Sequence, residues 1–350
     1  MPDARIPVDP LRDHVAAIFA AAGNPPAQAR TIATHLVDSN LAGHESHGVI
    51  RVPLYLDWQA AGRVVPGRAG VVASDSGAVA TIDGEFGYGQ VVGETMVEEG
   101  AARAARHGAA VIALRHAGHL GRIGGWAEMA AARGLVSLFF VNSPGRGGIQ
   151  VAPAGGRERR LAPNPLAIGV PREDGPPLVL DITTSVVPEG KVRVALNRGA
   201  ELPEGAVVDA EGRPSRDPRA YYGPPAGALL PIAAHKGAGL CMMIDLLAGA
   251  LTGGGCSDPR VDGKGNNMLA VFVAPDRMAG GEALREDARD LALWMKSAAP
   301  LRAGDEILVP GELEARHRAE RLATGVPLDA ETLRQIADAA ASRGVAPLAA

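Results

Sequence analysis

Between residues 78 and 141, short apolar runs alternate with longer stretches whose apolar positions recur every three to four residues, which limits the chain to few architectures. Residues 78–82, 109–114 and 135–141 read as strands, and residues 90–106 and 123–133 as helices. That order predicts an α/β unit with both faces of its sheet covered. Residues 178–185 and 267–273 read as further buried strands. With 350 residues, 47% of them hydrophobic, the chain can bury enough apolar surface for one large domain with an appendage, or for two domains.

The chain ends read as helical. Asp9-Pro10 looks like a cap and a first-turn proline for a helix ending near Gly23; a second helix from Pro26 carries Ile32, Leu36, Val37 and Leu41 on one stripe. Residues 281–298, 311–322 and 329–342 have helical patterns, and the last two are expected to pack on the N-terminal helices. Residues 60–75 read as a connection and residues 197–231 as a long surface excursion. The organisation expected is a helical segment over 1–70, an α/β domain over 71–280, and a segment over 281–350 that returns to the helical part.

Chemistry is concentrated in residues 40–58. Ser46, His47 and Arg51 put a hydroxyl, a group that titrates near neutrality and a fixed cation within six positions. If residues 46–56 form a helix, His47 and Arg51 face one cleft, with Gly48 leaving room beside them. A plainer reading has Ser46 capping a helix, His47 bonded locally and Arg51 paired with a surface acid. His44, Glu45 and His47 are crowded, but zincin chemistry wants histidines at i and i+4, and here they stand at i and i+3 with no third ligand nearby. No metal is expected.

Three other stretches are suited to ligands. Arg115-His116-Ala117-Gly118-His119-Leu120-Gly121-Arg122 follows a strand and precedes a helix, where glycines let backbone amides approach a phosphate. Asp181, at a strand end, can accept from a ribose hydroxyl, orient a histidine or cap the strand. Lys236, near a helix start, adds a cation suited to phosphate or carboxylate. Gly87-Tyr88-Gly89 lacks the glycine spacing of the usual dinucleotide fingerprint, and no acid closes a βαβ unit in register, so an ordinary Rossmann site is not expected.

Residues 43–51, Gly-His-Glu-Ser-His-Gly-Val-Ile-Arg, resemble the catalytic segment of the type-2 malate/L-lactate dehydrogenase family, whose relatives include ureidoglycolate dehydrogenase, sulfolactate dehydrogenase and piperideine-2-carboxylate reductase. Ordered blocks carry the resemblance over about residues 10–340. It implies an α/β oxidoreductase with a non-Rossmann nicotinamide-binding sheet domain and a helical domain formed by both chain ends. The cofactor implied is NAD or NADP, and the assembly a homodimer with active-site residues near the interface. In this family Ser46 and His47 would manage the proton and Arg51 would bind the substrate carboxylate. The same resemblance implies cofactor contacts at His119, Gly121 and Arg122, at Asp181, Ile182 and Thr183, at Lys236, and at Pro310, Gly311 and Glu312.

Some questions stay open at this level. The residue matching His119 is itself a proton-transfer candidate in some family members; His47 is preferred because Ser46 and Arg51 complete its chemistry. The position before Asn164 is commonly threonine in the family and is Pro163 here, with neither hydroxyl nor N–H, which loosens any tie to one particular substrate. The reaction implied interconverts a 2-oxo acid and a 2-hydroxy acid of the malate/lactate type. Alternatives are reduction of a cyclic imino acid and non-catalytic metabolite or nucleotide binding on the same scaffold.

Charge and targeting signals exclude other classes. The net charge of −4, with both signs interspersed, gives no nucleic-acid footprint. Two cysteines, no signal-like N-terminus and no apolar run of spanning length point to a cytoplasmic protein without membrane partners.

Overall fold

The computed structural model describes residues 4–348. Strand β1 (Ala4–Ile6) leads into α1 (Val8–Ala21) and α2 (Pro26–Leu41); two 3₁₀ turns, Glu45–His47 and Val49–Arg51, then step into α3 (Val52–Ala60). Next come β2 (Val71–Ser76), β3 (Val79–Asp83), α4 (Gly89–His107), β4 (Ala109–Ala117), α5 (Ile123–Ala132), β5 (Val136–Asn142), β6 (Leu166–Val170) and β7 (Leu178–Ile182). A small unit follows, made of α6 (Glu189–Arg198), β8 (Val207–Val208), β9 (Pro214–Ser215), α7 (Arg219–Tyr222) and β10 (Ala228–Leu229). The chain closes with α8 (His235–Ile244), its π-helical continuation Asp245–Ala250, β11 (Asn266–Val273), α9 (Leu284–Lys296), α10 (Glu312–Thr324), β12 (Val326–Leu328) and α11 (Ala330–Ala341).

The main sheet has the order β2-β3-β4-β11-β5-β6-β7. Only β3 and β4, joined by α4, pair in parallel among the described strands, and every other neighbour is antiparallel. A doubly wound nucleotide fold needs successive parallel strands around a switch point, so this α/β sheet is not of the Rossmann kind. β11 is the keystone: Leu269 pairs with Ala113 on one side and Phe140 on the other. Every residue from Asn266 to Ala270 is buried, which a strand achieves only when both faces are covered. The π-helical turn packs on β5 and β11, while α4 and α5 cover sheet strands as well.

Two main apolar cores result. One lies along the sheet, where Phe139 and Phe272 meet edge to face at 5.5 Å beside Trp126. The other joins both chain ends: Leu11, Ile18 and Leu36 of the first helices share it with Val52, Tyr55 and Ile336. Each such side chain, fully buried, contributes about 1.5–3 kcal/mol, so α11 is held to α3 by packing and not by local propensity. The antiparallel pairing of β1 with β12 ties the ends together again. No described helix is long and apolar enough to cross a membrane.

Several local expectations are corrected. Residues 46–56 are not one helix; Gly48 is extended and separates the first 3₁₀ turn from the second, which runs directly into α3. Its role is tight packing, since a Cβ there would collide with the Asn40 carboxamide whose Oδ1 accepts from Val49 N at 2.8 Å. Asp9 is no cap, because α1 already begins at Val8. The supposed connection 60–75 contains most of β2, an exposed edge strand whose polar residues conceal the strand pattern. The supposed surface excursion folds onto its own core of Val187, Val192, Val207, Tyr221 and Leu229.

Candidate active site

The glycines at 87, 89 and 118 bring two loops together. Gly118 N donates to Gly87 O at 2.7 Å, and a Cβ on Gly118 would lie 2.7 Å from that same oxygen. This close approach accounts for Gly87-Tyr88-Gly89 without a phosphate, and it sets the 118–122 loop beside the helical end of the molecule. There His119 and His47 stack, with ring centroids 5.5 Å apart and planes 13° from parallel. The two candidate proton carriers therefore share one site.

Each imidazole has a fixed partner. Ser46 Oγ and His47 Nδ1 lie 3.1 Å apart, and Tyr55 Oη is 2.7 Å from His119 Nδ1. Gln90 Nε2 donates to Tyr55 Oη at 3.0 Å and to the His119 carbonyl at 3.1 Å, so the tyrosine is itself held in place. Neither Nε2 makes a hydrogen bond among the described residues, and both rings are only half-buried, which leaves those nitrogens for a ligand. Arg51 Nε donates to the Ser46 carbonyl at 2.5 Å, while its two terminal nitrogens have no carboxylate partner among the described residues.

Loss of solvent around the ring nitrogens, with a guanidinium close by, disfavours the charged form of both rings. Desolvation, followed by the charges of Arg51 and His35, brings His119 down to about 3. Desolvation, then His119 and Arg51, lowers His47 well below the usual histidine value. Tyr55 is pushed up to about 12, again chiefly by burial, so its hydroxyl keeps its proton. At neutral pH the site is a fixed guanidinium beside two uncharged imidazoles and a phenol.

The crowded glutamate and histidines of 44–47 part company. His44 Nε2 is 3.2 Å from Glu314 Oε1 of α10, and Glu45 pairs with Arg321 of the same helix at 2.7 Å. His47 keeps to Ser46. These contacts explain why the C-terminal segment belongs to the site: α10 anchors the turns that present Ser46, His47 and Arg51. Tyr55, Gln90 and Glu314 were not singled out from sequence. Tyr55 stands four positions after Arg51, a spacing that could have drawn notice; the other two carry no sequence signal.

The remaining expected residues lie along the loop before α5, at the end of β7 and at the starts of α8 and α10. Asp181 Oδ2 accepts from Gly124 N at 2.8 Å, so the carboxylate caps the start of α5. Burial raises its affinity for a proton, and Arg122 opposes that. Arg122 is fully buried, 2.6 Å from Glu128 and 3.8 Å from Asp181, and positions the loop from inside. Gly121 has φ +71° and packs on His35. Thr183 Oγ1 donates to the Pro163 carbonyl at 2.8 Å, next to half-buried Ile182. Ile232 N donates to Thr184 O at 2.9 Å, which draws the start of α8 and its exposed Lys236 toward the same end of β7.

Past Asp181 a groove of about 620 Å³ opens between α5, β7 and α10. Val179, Gly311 and Ala315 give it an apolar wall, and Arg172, Arg285 and Arg318 give it cations. Glu312 is spent on Lys296, on Arg316 at 2.6 Å and on Val309 N at 3.2 Å, so Gly311 is the part of 310–312 that lines the groove. An apolar slot edged by cations, at the far end of α5 from two imidazoles whose Nε2 atoms are free of partners among the described residues, has a character suited to the adenosine end of a dinucleotide.

Comparison with known proteins gives a matching picture. The family model for malate/L-lactate dehydrogenase matches residues 6–337. The chain is 36% identical over 346 residues to hydroxycarboxylate dehydrogenase B of Escherichia coli K12, covering 97% of this chain and 95% of that one. It is 39% identical over 308 residues to an L-lactate dehydrogenase of Cupriavidus necator, covering 87% and 88%. Among solved structures, Δ1-piperideine-2-carboxylate reductase of Pseudomonas syringae pv. tomato superimposes with a TM-score of 0.84 at 30% identity, covering 96% of this chain and 99% of that one.

Proposed function

We infer the reaction from one premise: the chain belongs to the malate/L-lactate dehydrogenase family, whose members are NAD(P)-dependent dehydrogenases. It is an enzyme of the 2-oxo acid/2-hydroxy acid oxidoreductase type. The substrate is a small acid of the malate or lactate kind, with its carboxylate on Arg51 and its C2 oxygen at His47. The observation that carries this reading is the guanidinium of Arg51, free of any carboxylate among the described residues and adjacent to neutral imidazoles.

The nicotinamide cofactor, when bound, accepts or supplies the hydride. His119, the loop through Gly121, the backbone around Ile182, Lys236 and the groove at Gly311 would hold it. The chain's own groups do the rest. In oxidation, His47 with Nδ1–H donated to Ser46 Oγ has its Nε2 lone pair ready for the substrate hydroxyl proton. In reduction the same nitrogen returns that proton to the C2 oxygen. Arg51 fixes the acid in one orientation, which is worth orders of magnitude in rate by itself. The like charge of Arg51 disfavours the imidazolium until an anionic substrate offsets it.

This arrangement sets a pH dependence. An ordinary histidine base would lose activity as pH falls through about 6.5. Here kcat/KM for oxidation should stay level through that value, because the free enzyme keeps its imidazole neutral. For reduction, kcat/KM should keep rising as pH falls through about 6.5, without the plateau of a titrated acid. A break near that value in either direction, measured as log(kcat/KM) against pH, would overturn the neutral-ring account.

Two-oxo acid reduction is the leading reading; the structural likeness to a piperideine-2-carboxylate reductase favours a cyclic imino acid as the second. A panel of 2-oxo acids and cyclic imino acids, followed by nicotinamide absorbance, decides between them. Turnover of the oxo acids at the higher kcat/KM is expected; exclusive turnover of imines would replace the leading reading. The working form proposed is a homodimer. Met242, Met243, Leu246 and Leu251, along α8 and its continuation, are 42–66% exposed and offer an apolar contact face. Sedimentation should give twice the mass of one chain.

A further inference from the structure

Two arginines in the groove have no carboxylate partner among the described residues, and for a definite reason. Arg172 follows β6 and Arg285 lies in the first turn of α9, and Glu173 N donates to Arg285 O at 3.2 Å, which ties the two segments together. The carboxylates closest in sequence are already engaged: Arg289 takes Glu173 at 2.8 Å and Glu286 at 3.2 Å. Arg318, the third cation of the groove, pairs with Glu128 at 3.1 Å. Arg172 and Arg285 have no carboxylate partner among the described residues, and Arg172 Nε is buried without any hydrogen-bond partner. Two guanidiniums from different elements thus converge on one groove with their donors unused.

The groove also lies at the right remove from the histidines. Helix α5 starts directly after the 119–122 loop, and Ala131, Ala132 and Gly134 at its far end line the groove. Ten helical residues span about 15 Å. β7 runs the same course, with Val179 in the groove and Asp181 under the start of α5. A dinucleotide with its nicotinamide end at His119 would bring its adenosine end here.

Adenosine alone gives two cations nothing to hold. A 2′-phosphate is a monoester carrying about −1.5 to −2 charges and three acceptor oxygens, and paired guanidiniums match it with forked donors. We propose that Arg172 and Arg285 form a 2′-phosphate site, so that this enzyme takes NADP(H) in preference to NAD(H). The proposal rests on the dehydrogenase reading and narrows its cofactor. Charge-assisted hydrogen bonds of this kind are worth roughly ten- to a hundred-fold in affinity.

The test is direct titration of the intact protein with NADPH and with NADH, followed by nucleotide fluorescence, and with 2′,5′-ADP as a fragment carrying only the adenosine end. The unmodified enzyme should bind NADPH roughly ten- to a hundred-fold tighter than NADH. In the double variant Arg172→Gln/Arg285→Gln, NADPH should fall to the affinity of NADH, NADH should be unchanged, and 2′,5′-ADP should cease to compete. Equal affinities in the unmodified enzyme, a preference for NADH, or equal losses for both nucleotides in the variant overturn the phosphate site and leave the dehydrogenase reading standing. Binding of neither nucleotide overturns both. The ratio in the unmodified enzyme is decisive even if the variant fails to fold.

Discussion

Replacing His47 by asparagine lowers turnover by roughly 10²–10⁴, the usual scale for a positioned acid or base, while nucleotide binding remains measurable. Asparagine approximates the size of the ring and preserves hydrogen bonding toward Ser46, so the loss reports proton transfer and not collapse of the site. His119→Asn should act differently. Its Nδ1 faces Tyr55 at 2.7 Å and its carbonyl is held by Gln90, so it sits within a braced cluster on the side of the loop that leads to the groove. Its substitution should chiefly alter cofactor affinity or alignment. Because the rings stack at 5.5 Å, a loss of rate alone cannot separate them. Single-turnover hydride transfer with binding measured separately can: the reverse pattern makes His119 the proton carrier and His47 its support.

That both histidines meet in one place is a fact of topology which short-range reading could not supply. The strands and helices of 78–141 were legible because periodicity is local. So were the terminal helices, whose stripes of Ile32, Leu36 and Leu41 needed a partner. What escaped were features that depend on residues far apart in the chain. β11 enters the sheet between β4 and β5 from more than 100 residues away, and nothing in its own sequence names those neighbours. Glu314 reaches His44 across 270 positions. The bend at Gly48 escaped for a nearer reason: it packs on the Asn40 side chain, nine positions before Val49, which a helical reading of 46–56 leaves out. The segment-level chemistry, Ser46 with His47 and Arg51, was legible because it is contiguous. Tyr55 and Gln90 were not, since their role is to hold a histidine on another loop.

Arg51→Lys and Arg51→Ala should both lower kcat/KM for the true acid substrate by at least ten- to a hundred-fold, the usual worth of charge-assisted hydrogen bonds, and leave nicotinamide affinity nearly unchanged. A carboxylate beside C2 is a planar anion with two acceptor oxygens, and the free ends of the guanidinium match it in pairs. Lysine keeps the charge but loses that fork. It also lacks the Nε donor that meets the Ser46 carbonyl at 2.5 Å, so the turn presenting His47 loses a brace as well. The amide analogue of the substrate separates these two effects. It offers no anion, so it should be a poor substrate for the unmodified enzyme and lose much less on substitution; whatever it does lose measures the brace alone. If Arg51 only stabilises the fold, acid and amide lose equally and the melting temperature falls with them. Matched kinetics on the two compounds, with melting checked for each variant, therefore decide whether this site reads a carboxylate: equal losses would remove the clamp and with it the main physical reason for assigning a 2-substituted acid to this enzyme.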